Sequence, residues 1–182
     1  MNNKVLKGLA AVSIADAEKI GTVARSYFDP EKMVIVGFEI EPVPGGTKSA
    51  TPSLVDVAAV HSLGPDALML GDKAIEGKQT GDRFNYLIDV DTLVKHKVVT
   101  EDGTFVGQVA SVEFDEKTFR LTDLEASPGF FKTNKHIALR QITKIGNDLI
   151  VVADSVRTDT SNSGAEAHRF SRVVESDDPA VR

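Results

Sequence analysis

The sequence predicts a mainly β, all-β chain: two small barrels in tandem, joined by a short linker and followed by a polar C-terminal tail. Three observations carry this. First, Ile20-Gly21-Thr22-Val23-Ala24-Arg25-Ser26-Tyr27-Phe28-Asp29 lies 86 positions before Val106-Gly107-Gln108-Val109-Ala110-Ser111-Val112-Glu113-Phe114-Asp115, with five of ten positions identical. Val12 aligns with Val98 and Asp16 with Asp102, and Leu63-Gly64-Pro65-Asp66 echoes Ile145-Gly146-Asn147-Asp148 at a spacing of 82. Second, both copies consist of short β-branched and apolar runs punctuated by turn residues. Third, no convincing long helix interrupts them.

The repeat divides the chain into a first module (residues 1–71), a linker (72–92), a second module (93–153) and a tail (154–182). A module of about 70 residues buries only about 60% of its chain surface and is marginal alone. The two are therefore expected to shelter one another.

In copy one, a short strand near Leu9–Ser13 precedes a polar turn at Asp16–Lys19 and a second strand from Ile20 to Phe28. Asp29-Pro30-Glu31-Lys32 reads as a turn, because proline presets φ near −65°. Met33–Ile40 reads as a buried strand, with Val34, Val36, Phe38 and Ile40 on one face by period two. Residues 42–52 are rich in Gly, Pro, Ser and Thr and read as a loop. Leu54–Val57 and Ala67–Leu70 complete the copy.

Copy two repeats the order: Lys97–Val99, an Asp102-Gly103 hairpin turn, Val106–Phe114, a turn at Asp115–Thr118, Phe119–Ala126, His136–Leu139 and Leu149–Val152. Alternation falters around Ala24–Tyr27 and Asp123–Ala126, which points to bulges that help a small barrel bend. The tail after Ala153 turns polar and reads as disordered.

Bulk properties narrow the function. A net charge of −6 argues against a protein that coats nucleic acid, which needs a basic surface. With no cysteine there is no disulfide, thiolate zinc site or cysteine nucleophile. No run reaches the ~20 apolar residues of a membrane helix. Lys4, Lys7 and the apolar run from Leu9 to Ala15 imitate a signal peptide, but the repeat uses that run as a strand. A cytoplasmic chain is expected, with a peripheral place on a membrane complex as the alternative.

Gly8-Leu9-Ala10-Ala11-Val12-Ser13, Lys19-Ile20-Gly21-Thr22-Val23, Phe28-Asp29, and Val55-Asp56-Val57 with Leu63-Gly64-Pro65-Asp66-Ala67-Leu68 together resemble the PRC-barrel pattern. The resemblance spans about residues 5–71 and 93–153. It implies that the shared positions Gly21, Phe28, Asp29, Gly107, Phe114 and Asp115 are structural. Gly21 and Gly107 suit a close approach or bulge, and Asp29 and Asp115 suit the turn that follows. Copy one has Asp16-Ala17 where Asp-Gly is usual, which leaves its first turn type open. Family members act as docking modules without common catalytic residues, so the resemblance implies a non-enzymatic adaptor with a protein partner, self-association, and no cofactor. This is fold-level analogy.

Candidate chemistry is sparse. His61, His96, His136 and His168 do not lie at metal-ligand spacing from one another. Asp89 and Asp91, if on a strand, would face one side about 7 Å apart; a solvated strand entry is the preferred reading. No nucleophile elbow or phosphate-binding loop is present, and Gly45-Gly46 reads as a flexible pair.

One feature stands out in copy two. No acidic residue occurs from Ala126 to Asn147, while Lys132, Lys135, Arg140 and Lys144 do, with His136 among them and Phe130 and Phe131 beside them. Such a patch can bind RNA, anionic lipid or an acidic protein face; solvated strands, with the phenylalanines plugging a barrel end or the interface, are preferred. In the tail, Phe170, Val173 and Val174 have the spacing of a short amphipathic docking helix, although disorder is the preferred state.

Overall fold

The computed structural model describes residues 1–44, 52–71, 87–129 and 133–158. Phe130, Phe131, Lys132, His168, Phe170, Val173 and Val174, and the Gly45-Gly46 pair, lie outside the described residues. The first module contains α1 (Asn3–Leu6), β1 (Ala10–Ser13), β2 (Glu18–Asp29), β3 (Val34–Pro42), β4 (Ser53–Asp56), β5 (Val60–Leu63) and β6 (Ala67–Leu70). The second contains β7 (Ile88–Asp89), α2 (Val90–Leu93), β8 (Lys97–Thr100), β9 (Phe105–Phe114), β10 (Leu121–Ser127), β11 (Lys135–Ala138), β12 (Ile142–Ile145), β13 (Leu149–Val152) and α3 (Ser155–Thr158). Each module forms one curled sheet, ordered β4-β3-β2-β1-β6-β5 in the first and β11-β10-β9-β8-β13-β12 in the second, so the topology repeats strand for strand.

The repeat extends to irregularities. Ala24 is the extra residue where β2 slips against β3, and Ala110 is its counterpart on β9 against β10. Val36 on β3 and Thr122 on β10 are a second such pair. Extra residues bend and twist a strand, which accounts for the faltering alternation in both copies.

Gly21 and Gly107 sit where three strands crowd. A Cβ at Gly21 would lie 2.2 Å from the Glu41 carbonyl oxygen, and one at Gly107 would lie 2.6 Å from that of Ser127. The turns after β2 and β9 are held by carboxylates. Asp29 Oδ1 accepts from the amides of Glu31 (3.0 Å) and Lys32 (3.1 Å), and Asp115 Oδ1 from those of Lys117 (3.1 Å) and Thr118 (2.7 Å). The Thr118 amide, then its hydroxyl, hold the Asp115 carboxyl below the usual range. At Asp29 burial pushes upward, but the Lys32 and Glu31 hydrogen bonds and the Lys32 ammonium outweigh it.

Several expectations need correction, among them the shared face of Val34, Val36, Phe38 and Ile40: the bulge at Val36 leaves Val34 and Val36 half-buried and puts Ile35 in the core. Val12 is not the counterpart of Val98: Ala11 faces Gly21 as Val98 faces Gly107. The first hairpin turn of copy one is one residue longer, and Ala17 takes the left-handed conformation (φ 54°) that Gly103 supplies in copy two (φ 83°). Strands β5 and β12 were not foreseen, because each is a four-residue edge strand with two exposed polar positions. The stretch assigned to the linker holds β7 and α2, and the stretch assigned to the tail begins with α3, whose Val156 is buried. Ile88 pairs with the distant strand β2 and Val156 joins the buried core, contacts no local window shows.

The modules pack about a pseudo-two-fold axis. Ile35 N donates to Phe119 O and Leu121 N to Met33 O, both at 2.9 Å, and each bond is the other's image at the 86-residue spacing. Val34 bridges its own counterpart, Arg120. Phe28 meets its counterpart Phe114 edge to face, with ring centroids 5.9 Å apart and planes at 62°. Met33 and Phe119 both adopt positive φ (55° and 59°), uncommon for large side chains. The arms are exchanged as well: β7, at the start of the second module, pairs with β2 and so joins the sheet of the first, and Asn2 bridges Glu113 on β9. The buried apolar side chains of both modules form one cluster.

Candidate interaction surface

The exchanged arms create two related polar clusters on the outer surface. In the first module, Arg25, beside the Ala24 bulge, reaches Glu39 on β3 (Nη1 to Oε2, 3.6 Å) and Asp89 (Nε to Oδ2, 3.9 Å). Tyr27 Oη donates to the same Glu39 oxygen at 2.8 Å. Burial, then the Glu39 carboxylate, push the Tyr27 hydroxyl up. Lys7 Nζ bonds Asp91 Oδ2 at 2.7 Å. Asp89 ends β7 and caps α2, accepting from the Asp91 amide at 3.0 Å. The two carboxylates are therefore not a strand pair facing one side: Asp89 turns back to the helix it starts, and Asp91 pairs across the module junction. Between α1, β2 and α2 lies a crevice bordered by Asn3, Leu6, Lys7, Ser26 and Asp91, with about 10 Å³ of free volume, the room one water needs. That is far below the roughly 300 Å³ of a ligand pocket.

In the second module, Glu125 is the counterpart of Glu39 and Ser111 that of Arg25. Ser111 Oγ donates to Glu125 Oε2 at 2.9 Å. The Ser111 hydroxyl, then Asn134, hold the Glu125 carboxyl low, with His136 and Lys4 adding attraction. Asn2 Nδ2 donates to Glu113 Oε1 at 2.7 Å, and Asn3 Oδ1 accepts from the Val112 amide at 2.9 Å.

The basic residues of copy two are spread over several elements of the second module. Lys135 and His136 lie on edge strand β11, Arg140 in the 3₁₀ turn of residues Leu139–Gln141, and Lys144 on β12 at the other edge of the sheet path. His136 sits opposite Glu125, with Nδ1 3.4 Å from Asp123 Oδ1 and Nε2 4.0 Å from Glu125 Oε1. The acid-free window along the chain is thus lined, across the sheet, by the acids of β10. Of the other histidines, His61 is exposed, while His96 is buried with Nδ1 2.9 Å from Thr92 O. Among the described residues no three His, Asp or Glu side chains gather in a way that could hold a metal. Nor is any described helix long and apolar enough to cross a membrane.

Residues 87–156 match the family model of the PRC-barrel domain. The chain carries a PRC-barrel domain. The matched segment begins just before β7 and ends within α3, so the family's unit includes the exchanged arm that the linker reading left out. The first module shares the strand order of this PRC barrel, its two bulges and its crowded glycine. Comparison with curated proteins finds no match.

Sequence reading missed Lys7, Arg25, Tyr27 and Glu39 as a cluster. The signal available was the carboxylate kept at Glu39 and Glu125 across the repeat; what joins them to Asp89 and Asp91 is the arm exchange, which spacing does not reveal.

Proposed function

We propose that the chain is a non-enzymatic adaptor whose two barrels, held as one unit, present different outer surfaces to protein partners. The observation that carries this reading is the contrast between inside and outside. Positions at the pseudo-two-fold contact keep their partners in both copies, as in Phe28 with Phe114 and the paired Ile35 and Leu121 amide bonds. Positions away from the joint diverge: exposed Arg25 has the buried Ser111 as its counterpart, and exposed Lys19 has the exposed Phe105. A duplication that holds its joint and varies its faces suits the joining of two unlike surfaces. The acids of β10 face His136 within the basic stretch, and the net charge of −6 weighs against RNA binding, since phosphate contacts need a cationic surface.

The test is cross-linking of the full chain in its native cells, with Arg25→Glu and a combined Lys135→Glu, Arg140→Glu, Lys144→Glu variant. Each is expected to lose a different cross-linked protein while circular dichroism shows the chain still folded. Recovery of RNA in place of protein, or identical cross-links from both variants, would refute the adaptor reading.

A further inference from the structure

The outer face of the second barrel carries an apolar strip that differs from the same place in the first barrel, where Val12, Met69 and Ala67 stand, chiefly by an exposed phenylalanine. Val99 on β8 pairs with Phe105 on one side and Val151 on the other, and Lys97, two residues before, pairs with Leu149. Residues paired across a sheet point to the same face, so these side chains form one patch. Phe105 is 55% exposed and Leu149 40%, with Val99 and Val151 half-buried between them. In the first module Lys19 holds the place of Phe105, opposite Val12. A barrel of this topology therefore needs no aromatic side chain there.

The charges flanking the strip are self-complementary. Lys97 and Val99 lie on the outer face of β8, and Glu101 follows in the turn just past the strand end: a cation, an apolar centre and an anion in succession. Lys97 is exposed, and Glu101 is oriented by Thr143, whose Oγ1 donates to its Oε1 at 2.8 Å. A two-fold axis lying in the contact plane, perpendicular to β8 at Val99, sets Lys97 of one copy over Glu101 of the other. The same axis stacks Phe105 on Phe105 and Val151 on Val151. A strip flanked by one sign of charge would instead suit a partner of the opposite sign.

We propose that this strip is an isologous contact through which two copies of the chain associate. The inference does not rest on the adaptor reading, since a chain without any other partner would still pair this way. Four apolar side chains are few beside the roughly 20–30 residues a side of a standard interface, so the dimer is weak and concentration-dependent.

Sedimentation equilibrium of the full chain from about 1 μM to about 1 mM tests it. The mean mass is expected to rise from 19.6 kDa toward twice that value. Phe105→Lys, which installs the residue found at the equivalent exposed strand position in the first barrel, weakens association by at least about tenfold. Lys97→Glu and Glu101→Lys each weaken it by placing like charges together, and the double variant recovers the wild-type midpoint. A mass fixed at 19.6 kDa throughout overturns the proposal, whether the strip then serves the chain's own residues 159–182 or an unrelated partner. So does association that is indifferent to Phe105→Lys, or a double charge reversal no better than the single ones.

Discussion

Replacing Phe28 or Phe114 by alanine tests whether the two barrels are one thermodynamic unit. Both rings are buried (0% and 2% exposed), and each fills space in the other module as well as in its own. Truncation of a buried phenylalanine costs about 3–5 kcal/mol, a large part of the roughly 5–15 kcal/mol that holds a domain folded. Because the rings occupy equivalent places about the axis, the two single variants are expected to lose similar amounts. Their edge-to-face contact adds about 0.5–1.5 kcal/mol beyond burial, so the double variant loses less than the sum of the singles by that order. Urea unfolding followed by circular dichroism gives the three differences. Hydrogen exchange read by mass spectrometry shows where protection is lost. In a shared core, Phe28→Ala lowers protection in β9 and β10 as well as in β2 and β3. Loss confined to the first module, with strict additivity in the cycle, would refute the joint core.

Two further substitutions follow from the same geometry. Gly21→Ala is expected to destabilise by about 1–3 kcal/mol, because its Cβ would meet backbone at 2.2 Å, whereas Gly64→Ala, with its nearest atom at 3.6 Å, is expected to be close to neutral in the same urea titration. His96→Leu is expected to stabilise by about 1 kcal/mol, since it removes a buried Nε2 without a hydrogen-bond partner among the described residues and installs the residue that the first module carries in the equivalent place, Leu9; a lower urea midpoint for this variant would show that the imidazole, which also contacts Thr92 O through Nδ1, contributes more than its buried Nε2 costs.

Much of the fold was legible along the chain. The 86-residue repeat located β2 and β9, the carboxylate-held turns after them and the crowded Gly21 and Gly107. Faltering alternation at Ala24–Tyr27 located the bulge at Ala24, while that at Asp123–Ala126 marked β10, whose partner β9 carries the extra residue Ala110. These are local properties: a period of two, a turn residue, the absence of a Cβ. The edge strands β5 and β12 escaped because four residues with exposed polar side chains carry too little pattern, and they exist by pairing with β6 and β13. The basic stretch of copy two was correct as a count along the chain, yet its surroundings depend on which strand lies beside β11.

By itself the sequence determined that one β module occurs twice and that its special positions recur at a constant spacing, because backbone geometry and burial constrain each residue within its own strand or turn. Only the tertiary structure decided how the modules meet: the arms exchanged at Asn2 and Ile88–Asp89, the axis between Phe28 and Phe114, and the alignment of Phe105, Val99 and Val151 on one face. These contacts join residues far apart in the chain, and their partners are chosen by the combined shape and charge of two folded surfaces.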